Sequence, residues 1–269
     1  MAPGQTDVWV YEWARDALTR VTVDAAADQK PVWTPDGQRI VFRSSRGQSL
    51  NLYWQRADGT GEVQRLTESP NPQTPASFHP GGKFLAFYEM RPTTGSNDLM
   101  ILPMEGSEAS GWRPGEPTVF LSTQASEFEP MFSPDGRWIA YHSSESGRFE
   151  VYVRPFPGPG VKSQISTDGG QLATWSRTRP EIVYASRDNR LMVASYRVEG
   201  GAFNAGKPRL WSERRFMPRP RLRSFTLHSD GERVVLAAAP DTESAVKLDE
   251  LVFIFNFFDE LRRVAPAGQ

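Results

Sequence analysis

Apolar residues in this chain come in short runs cut by turn residues, and one such unit recurs five times. The units are Pro31-Val-Trp-Thr-Pro-Asp-Gly-Gln-Arg-Ile-Val-Phe42, Ala76-Ser-Phe-His-Pro-Gly-Gly-Lys-Phe-Leu-Ala-Phe87, Pro130-Met-Phe-Ser-Pro-Asp-Gly-Arg-Trp-Ile-Ala-Tyr141, the degraded Ala173-Thr-Trp-Ser-Arg-Thr-Arg-Pro-Glu-Ile-Val-Tyr184 and Phe225-Thr-Leu-His-Ser-Asp-Gly-Glu-Arg-Val-Val-Leu236. Their anchors are Trp33, Phe78, Phe132, Trp175 and Leu227, separated by 78−33=45, 132−78=54, 175−132=43 and 227−175=52 residues. A period of about 40–50 residues is that of a four-stranded propeller blade. The residues ahead of Pro-Asp-Gly predict a short inner strand; Pro presets φ for the turn and Gly supplies the positive φ that closes it. The runs Ile40–Phe42, Leu85–Phe87 and Ile139–Tyr141 are apolar without alternation. That pattern predicts a second strand covered on both faces by the adjacent blades.

A third strand follows in each unit, opening on a polar residue: Asp7–Tyr11, Asn51–Trp54, Asp98–Leu102, Glu150–Val153 and Glu250–Ile254, with Arg190–Val193 as a variant. A fourth, outer strand is marked by Val21-Thr22, Leu66-Thr67, Leu121-Ser122, Ile165-Ser166 and Leu210-Trp-Ser212. The N-terminus supplies a third and a fourth strand with no inner hairpin before them. The C-terminus supplies an inner hairpin, a third strand and then Asn256 to Val264. There Phe257, Leu261 and Val264 stand at i, i+4 and i+7 behind an Asn N-cap, which predicts a short amphipathic helix. The expected fold is an all-β propeller of four-stranded antiparallel blades, with residues 1–269 as a single domain. Five blades are expected, the N-terminal strands completing the last. The alternative is a six-bladed parent whose first hairpin this chain lacks.

Composition narrows the function classes. The 269 residues carry 31 basic and 32 acidic side chains, a formal net charge of −1, so bulk charge points to neither nucleic acid nor an anionic membrane. The absence of cysteine excludes disulfides, thiol nucleophiles and Cys-ligated zinc. No run of 18 apolar residues is present to span a bilayer, and residues 1–7 have neither the basic nor the apolar region of a signal peptide. The sequence holds no cofactor motif.

The Pro-x-Trp-Ser/Thr-Pro-Asp-Gly-x-x-Ile/Val-x-Phe/Tyr pattern resembles the repeat of TolB-like propellers, which also occurs in the propeller domains of prolyl oligopeptidases. Asp7-Val-Trp-Val-Tyr11, Asn51-Leu-Tyr-Trp-Gln55, Glu150-Val-Tyr-Val-Arg-Pro-Phe-Pro157 and Asn256-Phe-Phe-Asp-Glu-Leu-Arg-Arg-Val-Ala-Pro266 are similar to the C-terminal propellers of bacterial membrane-anchored serine/threonine kinases. That resemblance implies a periplasmic or otherwise extracytoplasmic sensing or binding module. Kinases of that kind carry a kinase domain and a membrane span upstream, which this sequence does not include. Gly81 in place of Asp and Arg177-Thr-Arg-Pro180 depart from the pattern and put the geometry of those two turns in question.

Catalytic signatures are sparse. The nearest match to a nucleophile elbow, Gly47-Gln-Ser-Leu-Asn51, lacks its second glycine. Gly59-Thr-Gly61 and Gly169-Gly170 read as hairpin or loop glycines rather than a phosphate loop. His79 and His228 share the repeat position of Thr34 and are expected to hydrogen-bond within the turn. His142 falls at the opposite face, and the three histidines lack metal-ligand spacing. Glu127 and Glu129 share one side of a strand at period two, a pair that glycoside hydrolysis would use, against the plainer reading of solvated loop charges. Lys207 to Arg223 holds seven basic residues and one acid, which reads as a solvated loop or an anion site. Trp33, Trp138 and Trp175 are expected in the core.

Propeller topology sorts these residues onto faces. Connections from outer strand to next inner strand, carrying Lys30, Glu127, Glu129, Arg221 and Arg223, share one face with the second-to-third strand loops. Those loops carry Arg43, Arg46, Glu89, Arg91, His142 and Arg187. The Pro-Asp-Gly turns lie on the other face and read as short and uniform. The expected site is the channel mouth on the loop face, where arginines from several blades converge on an acidic group of a protein, peptide or small-molecule ligand. The competing expectation is a hydrolase of glycosides or esters with carboxylates at that mouth.

Overall fold

The computed structural model describes residues 6–107, 109–217 and 223–236. Its contacts divide the chain into Met1–Ala237 and Ala238–Gln269, and every described residue belongs to the first unit. The expected last third strand at 250–254 and the helix after Asn256 lie outside the described residues. Described helix amounts to one 3-10 turn at Trp13–Arg15. Everything else regular is antiparallel sheet, and the fold is an all-β propeller.

The first hairpin pairs β1 (Trp9–Glu12) with β2 (Ala17–Arg20). A four-stranded blade follows: β3 (Asp28–Trp33), β4 (Arg39–Ser44), β5 (Asn51–Arg56) and β6 (Gln64–Arg65). The next contains β7 (Gln73–Phe78), β8 (Phe84–Met90), β9 (Asn97–Ser107), β10 (Gly111–Pro114) and β11 (Thr118–Leu121). Here β11 takes the outer place beside the first half of β9, while the second half of β9 runs on into a hairpin with β10. A third blade holds β12 (Glu127–Phe132), β13 (Trp138–Ser143), β14 (Glu150–Pro155) and β15 (Ser163–Gln164). The fourth repeats the plan of the second: β16 (Gly170–Trp175), β17 (Glu181–Ser186), β18 (Leu191–Glu199), β19 (Ala202–Ala205) and β20 (Arg209–Ser212), with β18–β19 as the extra hairpin. Last comes the inner hairpin β21 (Phe225–Leu227) and β22 (Val234–Leu236).

The repeat positions do the work their chemistry predicts. The turn slot is filled by Thr34, His79, Ser133, Ser176 and His228. Thr34 Oγ1 donates to Asp36 at 2.6 Å and accepts from the Arg39 amide at 3.0 Å; Ser133 does the same with Asp135 and Trp138. His79 Nδ1 instead accepts from the Gly81 amide at 3.0 Å, and His228 Nδ1 from the Asp230 amide at 3.3 Å. The closing glycines Gly37, Gly82, Gly136 and Gly231 hold φ of 68°, 72°, 73° and 73°. The Gly81 turn keeps the shared geometry; the Arg177–Pro180 turn keeps the closing pair, but its Arg179 amide donates to Ser176 Oγ at 3.2 Å where Gly37 donates to Thr34 O. His79 accepts from the Gly82 amide as Thr34 does from Gly37, and Ser176 pairs with Glu181 as Thr34 does with Arg39. The second strands are the core: Ile40–Phe42, Leu85–Phe87 and Ile139–Tyr141 are each at most 1% exposed. Burial of one such aromatic contributes about 2–3 kcal/mol. Each blade seals against the next. Val41, Leu52 and Trp54 pack with Leu85, Phe87 and Met104, and Ala86 and Ile101 with Phe132 and Ile139.

Two expectations fail. Trp138 and Trp175 are buried, but Trp33 is 50% exposed. Trp175 closes on the preceding inner strand, its Nε1 donating to Met131 O at 2.9 Å. Among the described residues the chain ahead of β3 forms the β1–β2 hairpin, whose flanking Val8 and Val21 pack on Ile40 and Phe42 rather than on Trp33. The turn face is also not uniform. The β9–β10 and β18–β19 hairpins both extend from third strands toward it, because β9 and β18 begin at the loop face and run away from it.

Candidate functional site

Three inner strands carry a left-handed residue three positions ahead of the anchor: Lys30 (φ 57°), Glu129 (φ 51°) and Leu172 (φ 57°). Pairing slips at each, between Gln29 and Val32, Phe128 and Met131, and Gln171 and Thr174. The corresponding residue of β7 is Pro75, whose ring forbids positive φ, and pairing slips there too, between Pro75 and Ser77. A left-handed non-glycine residue costs about 1–2 kcal/mol, so it persists only where its surroundings hold it. A bulge re-aims the side chain it carries.

The re-aimed side chains meet across the ring. Lys30 Nζ lies 3.4 Å from Glu129 Oε1, although a whole blade, β7–β11, separates them in sequence. Arg223, just ahead of β21, places Nη2 3.5 Å from Glu129 Oε2 and donates to Thr174 Oγ1 at 2.6 Å and Leu172 O at 3.2 Å. Burial pushes the Glu129 carboxyl up, but Arg223 and then Lys30 more than offset it and hold the group below the usual carboxylate range. Beside this cluster Arg43 donates to Gln29 Oε1 at 2.6 Å and Thr74 Oγ1 at 3.2 Å. An aromatic wall faces it. His142 stacks on Phe128 at 5.6 Å and 17° and meets Phe149 edge-on at 5.3 Å, and Tyr88 meets Phe128 edge-on at 5.4 Å. Burial drives the His142 imidazole down to about 4, and its Nδ1 has no hydrogen-bond partner among the described residues. Burial, with Glu129 adding to it, raises Tyr88 to about 12. Lys30, Arg43, Tyr88, Phe128, Glu129, His142, Phe149 and Arg187 together line a cavity of about 1230 Å³ on the loop face.

The expected site residues therefore divide. Arg43, Glu129, His142 and Arg187 share this cavity, and Arg223 reaches it through Glu129. The other described ones, Arg46, Glu89, Arg91 and Glu127, are engaged at the loop ends of the blades. Arg46 bridges Asp24 and Asp28, each at 2.8 Å. Glu89 accepts from Gln73 Nε2 at 2.6 Å and Asn71 Nδ2 at 3.0 Å. Arg91 donates to Ala125 O at 3.0 Å and pairs with Asp98 at 3.3 Å. Arg221 lies outside the described residues. Glu127 is fully buried and accepts from Thr123 Oγ1 at 2.5 Å and Ser143 Oγ at 3.3 Å; burial raises its carboxyl, with those bonds opposing. The slip after Phe128 breaks the period of two, so Glu127 and Glu129 occupy different environments and do not form a carboxylate pair. Sequence reasoning overlooked the aromatic wall and the bulges. The Lys30-Pro31 and Glu129-Pro130 dipeptides gave no signal of the bulges, because a residue before proline is steered toward extended backbone, and Leu172 is left-handed ahead of Ala173. Among the described residues no group of three His, Asp or Glu side chains stands close enough to hold a metal ion, and no helix is long and apolar enough to cross a membrane.

No family model matches the chain. Among curated proteins, the uncharacterized peptidase YuxL of Bacillus subtilis is 24% identical over 166 residues, covering 52% of this chain and 25% of that protein. Tricorn protease homolog 1 of Streptomyces coelicolor is 28% identical over 117 residues, 44% of this chain and 9% of that protein. The chain thus spans a quarter or less of the length of these relatives. Among solved structures, a putative TolB from Agrobacterium tumefaciens superposes with a TM-score of 0.55 at 19% identity, covering 72% of this chain and 71% of that one. TolB from Acinetobacter baumannii gives 0.53 at 19% identity, covering 85% and 58%. These likenesses show the propeller fold.

Proposed function

We propose that this chain is a non-catalytic propeller module that binds or senses a protein, peptide or small-molecule ligand at the channel mouth, through an acidic group of that ligand. The observation that carries this reading is the meeting of Lys30, Glu129 and Arg223, from three different blades, at a cavity of about 1230 Å³. One carboxylate stands between two cations, with Arg43 and Arg187 on the same cavity wall. An incoming carboxylate finds an excess of positive charge and planar guanidinium donors suited to it. The apolar part of the ligand lies on Phe128 and Phe149, and convergent polar groups beside an apolar wall are what a binding cavity needs.

The peptidase names of the two curated relatives fit the same reading if the propeller presents ligands to a catalytic domain carried elsewhere. The similarity of the third-strand motifs to kinase propellers favours a sensing role outside the cytoplasm. A hydrolytic site in the ring itself loses its main support, since Glu127 is sealed inside its blade. The discriminating experiment is a panel of chromogenic glycosides and esters on the purified chain, with no turnover expected. Turnover abolished by Glu129→Gln or Glu127→Gln would replace the binding reading with the hydrolase.

A further inference from the structure

A second cavity, of about 340 Å³, opens on the turn face between the β3–β6 blade and the β7–β11 blade. Strand register matches this seam, position by position, to the one between the third and fourth blades. Arg39 stands where Trp138 does, Trp54 where Val153 does, Phe78 where Trp175 does, Met104 where Tyr196 does and Trp112 where Phe203 does. The later seam is filled. Phe203 lies 4.8 Å from Tyr196 and 5.1 Å from Trp138, and Trp175 lies 5.3 Å from Tyr196. In the earlier seam Arg39 replaces a tryptophan, and its guanidinium lies 4.9 Å over the Trp54 ring. The β9–β10 hairpin holds Trp112 above the opening, with Lys83 Nζ 5.4 Å from its ring.

We propose that this cleft is a second binding site, independent of the channel mouth, for a proline-containing acidic segment of a partner polypeptide. Its walls are Trp54, Phe78, Met104 and Trp112, rimmed by Pro35 and Pro80. Aromatic-lined grooves of this kind accept extended proline-rich chain, which arrives with little conformational entropy left to lose. The polar side chains of the Thr34–Asp36 turn are engaged within it. Thr34 Oγ1 serves Asp36 and Arg39, and Asp36 Oδ1 accepts from Thr34 and the Gln38 amide. A sugar would find few partners for its hydroxyls there, whereas a proline ring asks for none. The lining itself balances Arg39 against Asp36, and Lys83 beside the Trp112 ring adds a positive charge, so the complementary neighbour of that proline is acidic.

The probe is an acetylated, amidated peptide of Pro-Pro-Asp triplets, titrated against the full chain while the indole N–H resonances of Trp54 and Trp112 are followed. Both resonances are expected to shift and saturate. The dissociation constant should rise about tenfold or more in Trp112→Ala, as for a central aromatic anchor. Arg39→Trp, which copies the filled seam, should do the same and serves if Trp112→Ala loosens the hairpin. Lys30→Ala should leave these shifts unchanged. The proposal is overturned if neither indole moves at millimolar peptide, if a peptide with alanine for proline binds equally, or if maltotriose saturates the same resonances. It is equally overturned if both turn-face variants bind as the parent does while Lys30→Ala alone weakens binding.

Discussion

The two cavities sit at opposite ends of the same strands and are made by different means. At the loop face the backbone makes the site: bulges recur at the same repeat position in successive inner strands and re-aim whatever side chain stands there. At the turn face the backbone of two seams is alike, and side-chain volume decides whether a cavity exists. In both cases repetition builds the scaffold and a departure from it shapes the cavity. Lys30 and Glu129 are opposite charges at one repeat position, and Arg39 is a cation where another repeat has Trp138.

The largest expected effect separates a filled seam from an open one. Trp175→Ala removes an indole that is 5% exposed and bonded to Met131 O, and should cost about 3–5 kcal/mol. Trp112→Ala removes one that already borders empty space, and should cost about 1 kcal/mol or less. Urea unfolding of both variants checks this; equal losses would erase the distinction between the seams.

The loop-face site carries a pH signature centred on one buried histidine. His142 is faced by Glu129, Arg223 and Lys30, and burial lowers its folded value to about 4. The unfolded chain takes up that proton near the ordinary value of about 6.5. Folding stability is therefore complete above that pH and falls as pH drops toward 4, by up to about 3 kcal/mol from this group. His142→Phe should flatten that part of the profile in urea midpoints measured at neutral and acidic pH. A variant profile parallel to the parent's would place the imidazole in contact with solvent. The smallest effect tests the turn-face cavity by filling it: Arg39→Trp should gain about 1 kcal/mol, as cavity filling commonly does. A loss would mean that the Trp54–Trp112 seam cannot close as its counterpart does.

Much of the scaffold was legible because turn chemistry is local. Thr34, Ser133, His79 and His228 could be assigned from their place beside the turn, and the unalternating runs could be assigned to the core. The two hairpins were visible only as length. Anchor spacings of 54 and 52 against 45 and 43 mark the repeats that hold β9–β10 and β18–β19, but spacing does not say where the added residues go. Which residues share the loop face was legible from topology, whereas which of them line its cavity was not. Arg46, Glu89, Arg91 and Glu127 have partners within their own blade or the next loop, which no one-dimensional pattern shows. Period two placed Glu127 beside Glu129, and a single bulge undid it. Trp33 failed for a related reason, since burial of a repeat position depends on what precedes the repeat.

The central claim is that cations from separate blades at the channel mouth hold an acidic ligand. Its most direct measurement is calorimetric titration of an acidic ligand identified by screening a library of peptides with free C-terminal carboxylates. Parent, Lys30→Ala, Arg43→Ala and Arg223→Ala are compared with Arg39→Trp on the other face. Each channel-mouth substitution should weaken binding about tenfold or more, as loss of a charge-assisted bond does, and Arg39→Trp should leave it unchanged. Undiminished affinity in all three channel-mouth variants, with loss in Arg39→Trp, would contradict the claim and move the site to the turn face.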